Sequence, residues 1–123
     1  MIKRASIVSL VTDEFSQRFR VIDNTGTDKK VVAGQFPDII LMRREPPPNN
    51  DILFVMRIEN GGELVDSVPV WRALATVPSV LYIITPESKL DEAKKLASAV
   101  GVRARFASYT ADKGGNAEAI RYE

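Results

Sequence analysis

The sequence contains no cysteine and no histidine. The absence of cysteine excludes disulfide bonds and thiolate metal sites. The absence of histidine excludes imidazole as an acid, a base or a metal ligand. Any hydrolytic chemistry must therefore use carboxylates, lysine, hydroxyl groups or a hard metal ion held by oxygen atoms.

The chain also lacks an excess of charge of either sign. Its 17 Lys and Arg residues nearly balance its 16 Asp and Glu residues, so the net charge is +1. Binding to nucleic acid would therefore need a local basic patch. Asp13 and Glu14 interrupt the apolar stretch near the basic N-terminus, and no apolar run approaches the ~20 residues that span a membrane. We expect a cytoplasmic protein that does not bind membranes.

The length of 123 residues and a hydrophobic content of 45% suit one domain with its own core. We assign this domain to residues 1–111. Residues 112–123 are polar and include Gly114-Gly115, which predicts a mobile C-terminal tail.

Hydrophobic periodicity predicts an α/β domain. Early strands joined by short loops should pair antiparallel, whereas the later strand–helix–strand unit should form a right-handed parallel crossover. Helices should then cover both faces of one mixed sheet, giving three layers. The predicted helices are 5–19, 67–77 and 88–100, and the predicted strands are 20–23, 36–42, 51–59, 80–85 and 102–109, with a further short one at 30–33.

Charged residues lie on two neighbouring strands of this scheme. Side chains alternate between the two faces along a strand, so Arg57 and Glu59 share one face at the end of an apolar strand. If that strand forms a hairpin with the preceding one around the proline-rich segment 43–50, Asp38 comes close to both.

These residues resemble a known motif. Pro37-Asp38, followed at the end of the next apolar strand by Arg57-Ile58-Glu59, is similar to the pattern of the PD-(D/E)XK, restriction-endonuclease-like superfamily. Trp71 stands where small uncharacterised bacterial proteins with this core carry a tryptophan on the following helix. The resemblance covers roughly residues 5–109 and implies a restriction-endonuclease-like core with the order α-β-β-β-α-β-α-β.

The resemblance also implies a chemistry. Asp38 and Glu59 would bind Mg²⁺, with Glu14 as a further ligand, and the metal would activate water for attack on a DNA phosphodiester. Arg57 would stabilise the developing negative charge. The chain departs from the superfamily at two positions, because residue 57 should be acidic and residue 59 should be lysine.

This exchange of charges leaves three hypotheses open. The first is a Mg²⁺-dependent nuclease with reduced or lost activity. The second is a catalytically inactive nucleic-acid or protein binding module, in which Arg57 forms a salt bridge with Asp38 or Glu59. The third is a homodimeric scaffold that associates through the helix bearing Trp71 or through the last strand. An ordinary position on a helix surface is the alternative for Glu14, and it is the commoner one for such a residue.

Overall fold

The computed structural model describes residues 2–26, 31–44 and 51–123. Within these ranges the chain forms α-helices, strands of one sheet, and two short 3-10 helices at Leu64–Ser67 and Glu87–Lys89. The helices are α1 (Arg4–Phe15), α2 (Val68–Ala75) and α3 (Leu90–Ala99), and the strands are β1 (Phe19–Asp23), β2 (Ile39–Arg43), β3 (Ile52–Ile58), β4 (Val80–Pro86), β5 (Arg105–Ala111) and β6 (Ala117–Tyr122).

The strands lie side by side in their sequence order, from β1 to β6. β1, β2 and β3 are antiparallel, as predicted. β3, β4 and β5 are parallel, and α2 and α3 supply the crossovers that parallel neighbours require. β6 returns antiparallel to β5. The prediction of an α/β fold with a mixed sheet is confirmed.

The sheet separates two apolar clusters. Because side chains alternate along each strand, every central strand contributes to both clusters. α1 packs on one face, and α2 and α3 pack on the other. The first cluster includes Ile7, Val11, Phe15, Ile39, Met56 and Ile58, and the second includes Ile40, Val55, Trp71, Leu74, Ile83 and Ala93.

The first helix ends earlier than its apolar spacing predicts. α1 stops at Phe15, and Phe19 already belongs to β1. The Phe19 ring nevertheless stays 6.1 Å from the Phe15 ring and 5.3 Å from that of Phe54. Phe19 therefore adds to the same cluster as the helix, and for this reason the helical spacing of apolar residues extends past the end of α1. The prediction of a short strand at 30–33 is also wrong for the described residues 31–33, because Val32 forms only an isolated bridge to Gln35.

The C-terminal segment is a strand, and the prediction of a polar tail is wrong for these residues. Ala117–Tyr122 forms β6, in which half-buried Ile120 and Tyr122 alternate with exposed Arg121. The Tyr122 ring lies edge-on to that of Phe15 at 5.2 Å. β5 is thus an interior strand and cannot be the edge that the third hypothesis used. Trp71 is fully buried, which also removes its ring from any interface.

The sheet curls so that α1 contacts both edge strands, β1 and β6. The N-terminal end of α1 is held by two hydrogen bonds. Lys3 donates its backbone N–H to the carbonyl of Gly115 at 2.7 Å, and Ser6 Oγ accepts the N–H of Ala117 at 2.8 Å. These contacts fix the first turn of α1, where Arg4 lies. Among the described residues, no helix has both the length and the apolar character needed to cross a bilayer.

The strand assignment of β6 predicts different effects at two adjacent positions. Tyr122→Ala should lower the free energy of unfolding by about 2–4 kcal/mol, because it removes a ring packed on Phe15 and Tyr82. Arg121→Ala, on the exposed face, should change it by less than about 0.5 kcal/mol. Urea unfolding followed by circular dichroism measures both. Equal, negligible effects would mean that the segment is a tail.

Candidate functional site

Asp38 is built into the sheet just before β2 begins, and only 8% of the residue is exposed. Its backbone N–H donates to the carbonyl of Met56 at 2.9 Å, and its carbonyl accepts the N–H of Asn24 at 3.0 Å. Its carboxylate Oδ2 accepts the backbone N–H of Ile58 at 2.7 Å. The side chain therefore supplies an acceptor to β3 at the end of the β2–β3 pairing.

The second carboxylate oxygen of Asp38 faces α1. Arg4 Nε lies 3.2 Å from Oδ1, an ion pair without the alignment of a hydrogen bond. Burial raises the pKa of Asp38 above its ordinary value, and the Ile58 N–H, Arg4 and Arg57 oppose that rise. Both oxygens of Asp38 thus have partners within the protein.

Glu59 is equally committed to the protein, with 6% of the residue exposed. Arg57 Nε donates to Oε2 at 2.9 Å, and the hydroxyl of Ser67 donates to Oε1. Arg57 Nη2 lies 3.5 Å from Ser67 Oγ. Of the two partners foreseen for Arg57 in an inactive module, the salt bridge forms with Glu59.

Two polar residues complete the surroundings of Glu59. Ser67 precedes α2 at its N-cap position, but its side chain makes no capping hydrogen bond there and contacts Glu59 instead. Tyr109 donates its hydroxyl to the backbone carbonyl of Glu59 at 2.8 Å. Burial, with a smaller contribution from Glu59, raises the pKa of Tyr109 to about 12, so the phenol remains a donor at neutral pH.

The structure brings Asp38, Arg57 and Glu59 together, as the hairpin argument predicts, but not Glu14. Arg4, beside Asp38, begins α1, whereas Glu14 is exposed near its end, about 15 Å along the axis at roughly 1.5 Å per residue. Glu14 lies near Tyr122 instead, where it adds to the effect of burial in raising the pKa of that phenol.

Sequence reasoning missed several residues of this site. Arg4, Ser67 and Tyr109 reach it from distant segments, and no local motif marks them. Asn24 is 2% exposed and donates its side-chain N–H to the carbonyl of Pro37 at 2.8 Å. A buried asparagine of this kind holds the Pro37-Asp38 segment in place, and only the long-range contact reveals it.

The arrangement fits Mg²⁺ poorly. A hard cation needs carboxylate oxygens that are free to bind it, whereas all four oxygens of Asp38 and Glu59 already contact protein donors. Arg57 would also repel a cation at short range. Among the described residues, no group of three or more acidic side chains is placed to hold a metal ion. The contacts are instead those of a self-neutralised ion-pair network.

A polar cavity of about 260 Å³ opens beside this network. Arg4, Asp38 and Arg57 line it together, whereas Glu59, which accepts the hydroxyl of Ser67, does not. Each guanidinium has donors beyond those that the ion pairs use, and such donors bind oxyanions. The lining residues are Arg4, Thr25, Gln35, Phe36, Asp38, Arg57 and Val70.

Comparison with known proteins adds no relative. No protein-family model, curated protein or solved structure matches the chain. Kinship with the PD-(D/E)XK superfamily therefore stays a prediction.

The raised pKa of Asp38 predicts a pH-dependent difference between the wild type and Asp38→Asn. Because the folded state binds the proton more tightly than the unfolded state, the contribution of Asp38 is full below its unfolded pKa and is lost as the pH rises through its folded pKa. The stability of the wild type relative to Asp38→Asn should therefore fall as the pH rises above 3.8. Urea unfolding of both proteins across this pH range measures it, and a difference that grows with pH would contradict it.

The Arg57–Glu59 pair predicts a non-additive double substitution. Arg57→Met alone should cost about 3 kcal/mol, because it leaves Glu59 buried without its cation. Adding Glu59→Met should recover a large part of that loss, since no unpaired charge remains. A double-mutant cycle from urea unfolding gives the coupling energy. Strictly additive losses would show that the pair contributes nothing as a pair.

Proposed function

We propose that this chain is a nucleic-acid binding module that holds a phosphodiester group between Arg4 and Arg57 without cleaving it. The observation that carries the proposal is that an arginine, Arg57, lines the cavity beside Asp38, whereas the carboxylate of Glu59 is engaged by Arg57 and Ser67.

The exchange of residue types at positions 57 and 59 has a direct chemical consequence. In the superfamily pattern, an acid at position 57 would stand beside Asp38 at the cavity, and two carboxylates would together attract a divalent cation. Here the cavity presents two guanidinium groups and one carboxylate that is already paired. This combination favours an anion, and planar guanidinium groups suit phosphate oxygens.

The expected affinity is low. Asp38 and Glu59 cancel much of the charge of the two arginines, and the chain as a whole carries only +1. We expect dissociation constants on the order of 10–100 µM at physiological salt, weakening as salt rises, as for other backbone contacts.

The competing proposal is a Mg²⁺-dependent nuclease. One observation favours it: Asp38 bonds through its side chain to Ile58, the middle residue of the triplet, which is the adjacency that the superfamily resemblance implies. In that case a metal ion would have to displace Arg4 and Arg57 from the two carboxylates. This displacement would break the ion pairs of Arg4 with Asp38 and of Arg57 with Glu59, which a binding module without metal keeps.

A binding and cleavage experiment separates the two proposals. Fluorescence anisotropy with labelled DNA and RNA oligonucleotides should show salt-dependent binding by the wild type, and the same samples with Mg²⁺ or Mn²⁺ should remain intact. Arg4→Met should weaken binding severalfold and reduce the slope of log K against log salt by about 1, the loss of one phosphate contact.

Arg72→Met is the matched control, because it removes an exposed arginine of α2 that does not line the cavity. It should have less effect than Arg4→Met at every salt concentration. Equal effects of the two substitutions would mean that binding depends on overall charge and not on the cavity. Absence of binding by the wild type would overturn the proposal. Metal-dependent cleavage that Arg57→Glu with Glu59→Lys increases would establish the nuclease instead.

A further inference from the structure

The cavity beside Asp38 has an aromatic wall as well as two arginines. Phe36 lines it and is 51% exposed, an unusual position for a large apolar side chain in a protein with ample core. Gln35 and Thr25 line the same cavity and offer an amide and a hydroxyl group. An aromatic ring, hydrogen-bonding side chains and cationic groups thus meet in one small space.

The backbone around Phe36 is held in a defined conformation. Val32 and Gln35 exchange two backbone hydrogen bonds of 2.8 and 2.9 Å, which close a tight turn. Its central residues, Ala33 and Gly34, have φ values of 51° and 75°, as a type I′ turn requires. Alanine rarely adopts this left-handed conformation, and the two hydrogen bonds between Val32 and Gln35 hold it here.

The other side of Phe36 is fixed as well. Asn24 donates to the carbonyl of Pro37, and Asp38 is bonded to Ile58. Phe36 therefore lies between the Val32–Gln35 turn and the Pro37-Asp38 segment, both of which are held by hydrogen bonds. A preorganised aromatic next to a phosphate-binding group loses little entropy on binding.

We propose that this cavity takes one nucleotide of a single-stranded nucleic acid, with the base stacked on Phe36 and the adjoining phosphate on Arg4 and Arg57. The inference rests on the proposed function and names its substrate class. Stacking on a side chain requires an unpaired base, and every base offers a flat face. A duplex keeps its bases stacked on one another and can use only the arginines. Single strands should therefore bind more tightly than duplexes of the same sequence.

The test compares single-stranded and duplex oligonucleotides of one sequence, as DNA and as RNA, by fluorescence anisotropy at fixed salt. The wild type should prefer the single strand by about tenfold. Phe36→Ala should remove that preference, and Phe36→Trp should retain it. A 2-aminopurine probe in the single strand should be quenched by the wild type and not by Phe36→Ala, which reports stacking directly.

Val65→Ala provides the control, because Val65 is 60% exposed but does not line the cavity. Its preference and quenching should match those of the wild type. If single strands and duplexes bind equally and Arg4→Met weakens both, the phosphate site stands and the base site is wrong. If Phe36→Ala behaves as Val65→Ala does, the base site is also wrong. Absence of any salt-dependent binding would instead remove the proposed function itself.

Discussion

The hydrogen bond from the Ile58 N–H to the carboxylate of Asp38 joins the sheet to the charge network. A buried backbone N–H without an acceptor is costly, so this contact is required wherever β3 extends past the start of β2. The same carboxylate meets Arg4 in the first turn of α1. One side chain thus connects the sheet and α1, and the position of Arg4 depends on it.

Burial of Glu59 follows from the same geometry. Arg57 and Glu59 share a face because they are two residues apart on a strand, and only one of them can face the open end of the cavity. Arg57 has the longer side chain and remains partly exposed, while Glu59 receives the hydroxyl of Ser67. The opposite order would place the acid at the cavity and the cation next to Ser67, whose hydroxyl can accept a hydrogen bond but supplies no negative charge.

The helical spacing of apolar residues and the alternation of side chains along strands account for what the sequence could predict. Three helices, the antiparallel and parallel pairings, and the meeting of Asp38 with Arg57 and Glu59 follow from local patterns and from counting inward from a loop. What failed depends on packing between distant segments. Phe19 continues a helical stripe although its backbone is a strand. β6 gives no clear strand pattern, because its half-buried residues are few and stand among polar ones. The contributions of Arg4, Ser67 and Tyr109 have no local signal at all.

The structural role of Asp38 changes how function in this chain must be tested. In a protein where such an aspartate only binds metal, its substitution reports on catalysis. Here its loss would also leave the Ile58 N–H and Arg4 without partners, so any measured activity would fall through destabilisation as well as through chemistry. Arg4 is the more informative position, because it lines the cavity, has a side chain that is 39% exposed and contributes an ion pair rather than a core contact to the fold. Because this charge network supports the sheet as well as the cavity, its role in binding is best measured by substituting Arg4 and not the buried Asp38.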